Sequence, residues 1–340
     1  MKKLVKFLGI CGLLTGVFSS TVYASEETEP GGYTIEGISN KNQLDPNVGY
    51  FYLHENVDAE DSVKVKLINS SDSDKKLNVK ITNANTNANG IIDYTGKLKD
   101  HTSLKVPLTS IANVTEKEVV VPKESSVETE IKIKMPEEKL SGVVVGGIVV
   151  SEKPSESSST EKIALNNTYS YTLGLVVTNE NKVELNKNVS VELDSVGATL
   201  FDGKKVIQAD ILNPNPYIFS KATVKGKILE KESRKLVKQE EKENINIAPY
   251  SVYPFQFDWK KEDLKPGKYI FSGSVEANGK SWKLEKEFEI TSGKAKKINK
   301  ESVYKIYIPN WLTYSIYSLV VLSVGGTIYL FIRKRNRKEV

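Results

Sequence analysis

One cysteine, Cys11, and two histidines, His54 and His101, are all that 340 residues hold of these two types. Cys11 falls in the first 24 residues, so the chain beyond it has neither a disulfide nor thiol chemistry. The scarcity also removes the commonest ligands of a transition metal and the commonest bases and nucleophiles of catalysis. No zinc-protease HExxH, no hydrolase GxSxG and no P-loop string occurs, which leaves those readings without their core residues. His101, beside Asp100, reads as a surface turn residue. The acidic groups Asp58-Glu60-Asp61 and Asp72-Asp74 lack the spacing and the glycine of a calcium loop. No catalytic residue, metal or cofactor is expected.

An excess of one charge is also missing where it would matter. The formal charge of +5 comes from 48 basic and 43 acidic residues. Setting aside three Lys before residue 25, and five basic and one acidic residue after 310, leaves 40 basic and 42 acidic ones, a net of −2. No basic face for nucleic acid is implied.

Long apolar runs are absent except at the two ends. Lys2, Lys3 and Lys6 precede the apolar stretch Phe7–Phe18, and Val22-Tyr23-Ala24 supplies a small-residue cleavage pattern, so residues 1–24 read as a signal peptide. Ile10 is too large for the position before a lipoprotein cysteine. Residues 311–332 hold 22 residues without a charge. As a helix they would span about 33 Å, enough for a hydrocarbon core of roughly 30 Å. Trp311, Tyr314 and Tyr317 suit the interface, and the basic tail 333–340 fixes the C-terminus on the cytoplasmic side. Ile308-Pro309-Asn310-Trp311 has no sortase Thr-Gly pair, so the span is expected to stay in the mature protein. The expected location is the cell membrane, crossed once, with the N-terminal part outside and facing the wall.

Between these ends the pattern is β throughout. Val63, Val65 and Leu67 alternate with lysines, and Leu77, Val79 and Ile81 do so after a polar turn, which predicts an antiparallel hairpin. Val127 to Met135 alternates with Glu and Lys. Gly142–Val150 is apolar on both faces and predicts a central strand, with Gly146 and Gly147 marking a bulge or a close approach. Ser151–Asn167 reads as a loop, and Thr168–Thr178 as a returning strand. The expected fold class is all-β: two tandem immunoglobulin-like sandwiches at 31–178 and 189–292, joined by a polar linker at 179–188, plus one C-terminal transmembrane helix. A boundary in Ser151–Lys162 competes on composition. Glu230–Lys242 reads as a solvated hairpin, and Ser292–Glu301 as a short Lys-rich stalk.

Recognition chemistry is the remaining option. The loop Asn83–Tyr94 offers Asn87, Asn89, Asp93 and Tyr94, amides with an acid and a ring that suit a sugar; Asn and Gly supplying turn geometry is the competing reading. In the second domain Tyr217, Phe219, Tyr250 and Tyr253 would anchor a partner protein or fill a sandwich core.

The order of short motifs resembles a known family. Thr86-Asn87-Ala88-Asn89-Gly90-Ile91-Ile92-Asp93-Tyr94, Ser103-Leu104-Lys105, Lys134-Met135-Pro136 and Gly142-Val143-Val144-Val145-Gly146-Gly147-Ile148 resemble the first domain of the WxL-interacting proteins. Asn167-Thr168-Tyr169-Ser170-Tyr171, Asn213-Pro214, Ala248-Pro249 and Leu264-Lys265-Pro266-Gly267-Lys268-Tyr269 resemble their second. Ile247-Ala248-Pro249 departs from the usual Met-Ala-Pro, and the family's boundary falls nearer 160. The resemblance implies a surface protein of low-GC Gram-positive bacteria, with a peptidoglycan-binding first domain and a second domain that binds host matrix or partner proteins. It also implies a complex with WxL-domain proteins. Two further readings stay open: a membrane-tethered wall-modifying enzyme, and a stand-alone adhesin for host extracellular matrix.

Overall fold

The computed structural model describes residues 30–153, 168–184, 186–187, 189–304 and 309–336. The expected signal peptide, most of the loop 151–167 and the end of the basic tail lie outside the described residues.

The first domain is built from β1 (Tyr33–Ile38), β2 (Phe51–His54), β3 (Glu60–Asn69), β4 (Lys75–Asn83), the short β5 (Asn85–Thr86) and β6 (Ile92–Asp93), the one-turn α1 (Leu108–Ile111), β7 (Ala112–Val114), β8 (Glu118–Val121), β9 (Ser125–Lys134), β10 (Val144–Glu152) and β11 (Ser170–Thr178). Its two main sheets have orders β1-β3-β9-β7 and β2-β11-β10-β4-β8. The alternation dictates how they face. Val63, Val65 and Leu67 of β3 and Ile131 and Ile133 of β9 point inward, against Leu77 and Val79 of β4 and Ile148 and Val150 of β10. The lysines and glutamates between them form the solvated face, where Lys64 pairs with Glu128 at 3.2 Å.

The hairpin expected of residues 62–81 does not form. β3 pairs with β1 and β9, whereas β4 pairs with β10 and β8, so the chain crosses from one sheet to the other at Ser70–Asp74. Asn69, 1% exposed, holds the corner. Its Nδ2 donates to the carbonyls of Ser73, Val121 and Pro122 at 2.8, 3.0 and 3.0 Å, and its Oδ1 accepts from the Ser71 N–H. Burying a carboxamide is tolerable only with such partners. β10 is central, and its pairing with both neighbours is regular, so its glycines do not mark a bulge. Gly146 instead admits the Thr82 carbonyl, which a Cβ would meet at 2.0 Å.

The second domain contains β12 (Glu192–Phe201), β13 (Lys204–Leu212), β14 (Phe219–Glu230), β15 (Leu236–Ile247), β16 (Val252–Asp258), β17 (Gly267–Ala277), β18 (Lys280–Ile290) and α2 (Ser292–Glu301). Its sheets run β12-β13-β16 and β15-β14-β17-β18 over a core with Phe255, Phe257 and Phe271. The corner recurs here. Asn213, fully buried, donates to the carbonyls of Tyr217, Ile247 and Ala248 as the chain passes from β13 to β14. Tyr269 donates its hydroxyl to the Lys265 carbonyl at 3.0 Å, closing the turn before β17. The expected stalk is instead a docked helix: α2 buries Ala295 and Ile298 in this core, and Asn299 makes two hydrogen bonds to the Leu264 backbone. The mean spacing of its apolar residues, hidden among four lysines, was too sparse to signal this in sequence.

Last comes α3 (Asn310–Asn336), whose segment Asn310–Phe331 is long and apolar enough to cross a membrane and is not buried among the described residues.

Candidate functional site

The Asn-rich loop is tied down rather than open. Asn83 and Asn85, both buried, donate to the two carboxylate oxygens of Asp100 at 2.7 and 2.9 Å. Asn87 Oδ1 accepts from the N–H groups of Asn89 and Ile91, an arrangement that shapes the turn. Asp93 Oδ1 accepts from the N–H and hydroxyl of Thr95 at 2.9 and 2.7 Å. Tyr94 lies across β10 and packs with Val143, Val145 and Val176; burial raises its hydroxyl pKa. Of the four residues expected to meet a sugar, Asn89 alone is exposed.

The loop's other side meets the second domain. Thr86 Oγ1 accepts from the Ala248 N–H at 3.0 Å and lies 3.0 Å from Ser251 Oγ. Asn246 N–H donates to the Gly90 carbonyl at 2.8 Å, and Val143 N–H to the Pro216 carbonyl at 2.9 Å. Gly90, at φ +71°, and Gly142, at φ +69°, sit where the domains touch. A Cβ on the first would come within 2.3 Å of Ile245, and on the second within 2.2 Å of the Pro216 oxygen. Both the backbone angle and the space call for glycine.

The segment between the sandwiches adds a charged clamp. Glu180 Oε1 accepts from the Gly142 N–H at 3.1 Å and from the Tyr217 hydroxyl at 2.6 Å, while Lys187 lies 3.4 Å from Oε2. Burial works to raise the Glu180 pKa, yet these donors hold the carboxyl below its ordinary range. Burial, then the Glu180 carboxylate, raises the Tyr217 hydroxyl. Asn186 exchanges hydrogen bonds with Ser220, so part of the linker rides on the second domain.

The aromatic set divides. Phe219 and Tyr253 are fully buried: Phe219 packs edge-on against Trp282, and Tyr253 lies beside Phe255. Their side chains fill the core and cannot anchor a partner. Tyr217 serves the clamp. Tyr250 is different. It is half-buried, its backbone takes φ +54°, and it is the one aromatic among the described non-glycine residues with positive φ, a conformation costing roughly 1–3 kcal/mol. Lys105 of the first domain sits 6.0 Å above its ring. The ring borders a crevice of about 590 Å³ between the domains, floored by Ala84, Val143, Val145 and Pro249 and rimmed by Lys105 and Lys139. A second cleft of about 360 Å³ has His101 Nε2 3.8 Å from Asp194 across the junction. The first crevice thus combines a ring and an apolar floor with charges of both signs, Glu137 and Glu138 beside the two lysines.

Two family descriptions match this chain. The WxL Interacting Protein peptidoglycan binding domain covers residues 33–152, and the WxL Interacting Protein host binding domain covers 160–300. The chain belongs to the WxL-interacting protein family. Both matched domains are binding domains, those of a cell-surface binding protein. Their ranges meet between 152 and 160, yet β11, inside the second range, is hydrogen-bonded between β10 and β2 of the first sandwich.

Among solved structures the chain is similar to the Pseudomonas aeruginosa CupB2 chaperone (14% identity, 66% of this chain and 91% of that one, TM-score 0.26). It is also similar to the E. coli chaperone DraB (16%, 68% and 90%, 0.28) and to a PapD-like domain of human CEP192 (9%, 52% and 98%, 0.28). At such scores the fold of this WxL-interacting protein rests on its own sheets. No curated protein matches it.

Of the residues that build the junction, Glu180 and Ser251 carry no signal in the sequence, and Thr86 and Gly142 stand there only as members of longer runs. Small polar residues and turn glycines carry no period, and the partners they meet across the junction lie more than 30 positions away.

Proposed function

We propose that this chain is a non-enzymatic protein anchored by α3 in the cell membrane, with both sandwiches outside and the C-terminus in the cytoplasm. Its first domain contacts peptidoglycan, its second contacts host matrix or partner proteins, and the pair scaffolds WxL-domain proteins. The observation that carries this reading is the order along one chain: a match to a peptidoglycan binding domain, a match to a host binding domain, then a 22-residue apolar segment. We assign the glycan contact to the crevice beside Tyr250, because a ring at a polar-rimmed apolar floor suits the two-sided character of a sugar. Asn89, exposed on its loop, is a second contact of the same kind outside that crevice.

The test is direct. The ectodomain, ending at Tyr304, is incubated with insoluble peptidoglycan and, separately, with an immobilised WxL domain. Retention by either supports the reading, whereas retention by neither at tens of micromolar protein overturns it. Tyr250→Ala is expected to weaken sedimentation with peptidoglycan while leaving WxL capture intact.

A further inference from the structure

The outer face of the first domain's larger sheet carries a row of tyrosines. Phe51 and Leu53 of β2 lie in the core, so Tyr50 and Tyr52, which alternate with them, point the other way. Their ring centroids are 6.4 Å apart and the rings are tilted by 34°. Tyr94, just after β6, lies on the same face. Beneath the row Gly147 of β10 pairs directly with Gly174 of β11. A Cβ on Gly147 would come within 2.8 Å of Tyr94, and one on Gly174 within 3.3 Å of Tyr50. Both rings are thus seated low on bare backbone, where they have little freedom left to lose on meeting a ligand.

Part of the row stays open. Tyr50 is 42% exposed, and Tyr52 and Tyr94 are half-buried. The Tyr52 hydroxyl is engaged by the Val183 backbone. The Tyr50 and Tyr94 hydroxyls have no hydrogen-bond partner among the described residues. The row also joins the crevice beside Tyr250. Tyr52 and Tyr94 pack on the cluster of Val143, Val145 and Val176, and the first two of these valines floor that crevice.

We propose that Tyr50, Tyr52 and Tyr94 form a further subsite for the glycan held at the Tyr250 crevice, so that the protein takes an extended strand of several sugars. The inference rests on the peptidoglycan reading above. A ring packs on the C–H face of a sugar, and a free phenol hydroxyl pairs with the sugar's own hydroxyls. A protein partner is anchored by a side chain sunk in a pocket, whereas a row of low rings suits the repeated flat faces of a glycan. Two subsites on one strand act as linked contacts, the second gaining from the first without any new partner. Affinity should therefore grow with the length of the strand.

The experiment uses the full chain in detergent micelles, titrated with two probes made from peptidoglycan: glycan strands freed of stem peptide, and the single disaccharide repeat. The parent is expected to bind the strands about tenfold more tightly than the disaccharide. Tyr50→Ala should lose that gain and Tyr50→Phe keep most of it, with disaccharide affinity unchanged in both. Gly174→Ala, which lifts the Tyr50 ring without altering it, should cut the gain about threefold. A gain that survives in Tyr50→Ala, or that Gly174→Ala leaves whole, overturns the proposal while the peptidoglycan reading stands. So does a parent that sediments with intact peptidoglycan yet ignores the stripped strands, or a Tyr50 that matters only to capture of a WxL domain. Binding to neither intact peptidoglycan nor stripped strands overturns both.

Discussion

The hydroxyl of Thr86 in the first domain lies 3.0 Å from that of Ser251 in the second, both buried, 165 positions apart in the chain. Thr86 also accepts the Ala248 N–H, so one small side chain satisfies two groups across the boundary. Replacing it by Val keeps its shape and strands both. An unsatisfied buried donor costs about 1–3 kcal/mol. Thr86→Val should therefore lower the urea midpoint of the two-domain unit, and Thr86→Ser should restore most of it. Equal midpoints for the three proteins would show that the junction contributes nothing to stability.

Gly90 tests the same contact by sterics. Its φ of +71° disfavours any Cβ, and the place a Cβ would occupy is 2.3 Å from Ile245. Gly90→Ala is expected to push the second domain away, because Ile245 is buried in that domain's core and has little room to yield. The radius of gyration from small-angle scattering should grow and 1-anilinonaphthalene-8-sulfonate should bind the freed Val143, Val145 and Tyr94 surface. An unchanged profile would mean that the loop, not the domain, gives way.

Much of the first sandwich was legible in the chain. Val63, Val65, Leu67 and Val127 to Ile133 follow period two, and the structure buries those faces. The run 142–150, apolar on both sides, lies in the middle of its sheet because its outer face is covered as well, by Tyr94 and by the second domain. The crossing at Asn69 was not legible. Two alternating runs around a polar turn look alike whether they pair with each other or part to opposite sheets, and what decides it is a buried amide reaching Val121 and Pro122 more than 50 positions away. The site was less legible still. Asn87 and Asp93 have amide and acid groups that suit a sugar, yet they spend them on their own turns, while Tyr250 gained its place from a backbone angle that no composition reveals.

Excision along the family boundary should fail. A fragment of residues 30–153 lacks β11, which covers one whole edge of β10 from Val144 to Ser151 and links it to β2. An exposed, flat edge carrying valines on both faces invites self-pairing. This fragment is expected to aggregate, whereas residues 30–184 should give a soluble domain with a cooperative melt. A monomeric, cooperatively folding 30–153 would show that β11 is dispensable.

Glu55 should make stability depend on pH in an unusual direction. It is 2% exposed, and its carboxylate oxygens are 3.0 and 3.1 Å from Asn42 Nδ2, which also reaches Asp61. Burial, opposed by the Asn42 amide and assisted by Asp61, pushes its pKa up to about 7 from an ordinary 4.5. The folded protein therefore holds a proton that the unfolded chain releases. Between about pH 4.5 and 7 the unfolded state binds fewer protons, so stability falls as pH rises, and above 7 the loss is complete. The span corresponds to about 3.4 kcal/mol at most, at about 1.36 kcal/mol per unit. Glu55→Gln preserves an acceptor for Asn42 and a donor for Asp61 without the charge. Its urea midpoint should match the parent near pH 4.5 and exceed it at pH 8. A difference between the two proteins that stays constant across that range would assign the carboxyl an ordinary pKa and remove the effect.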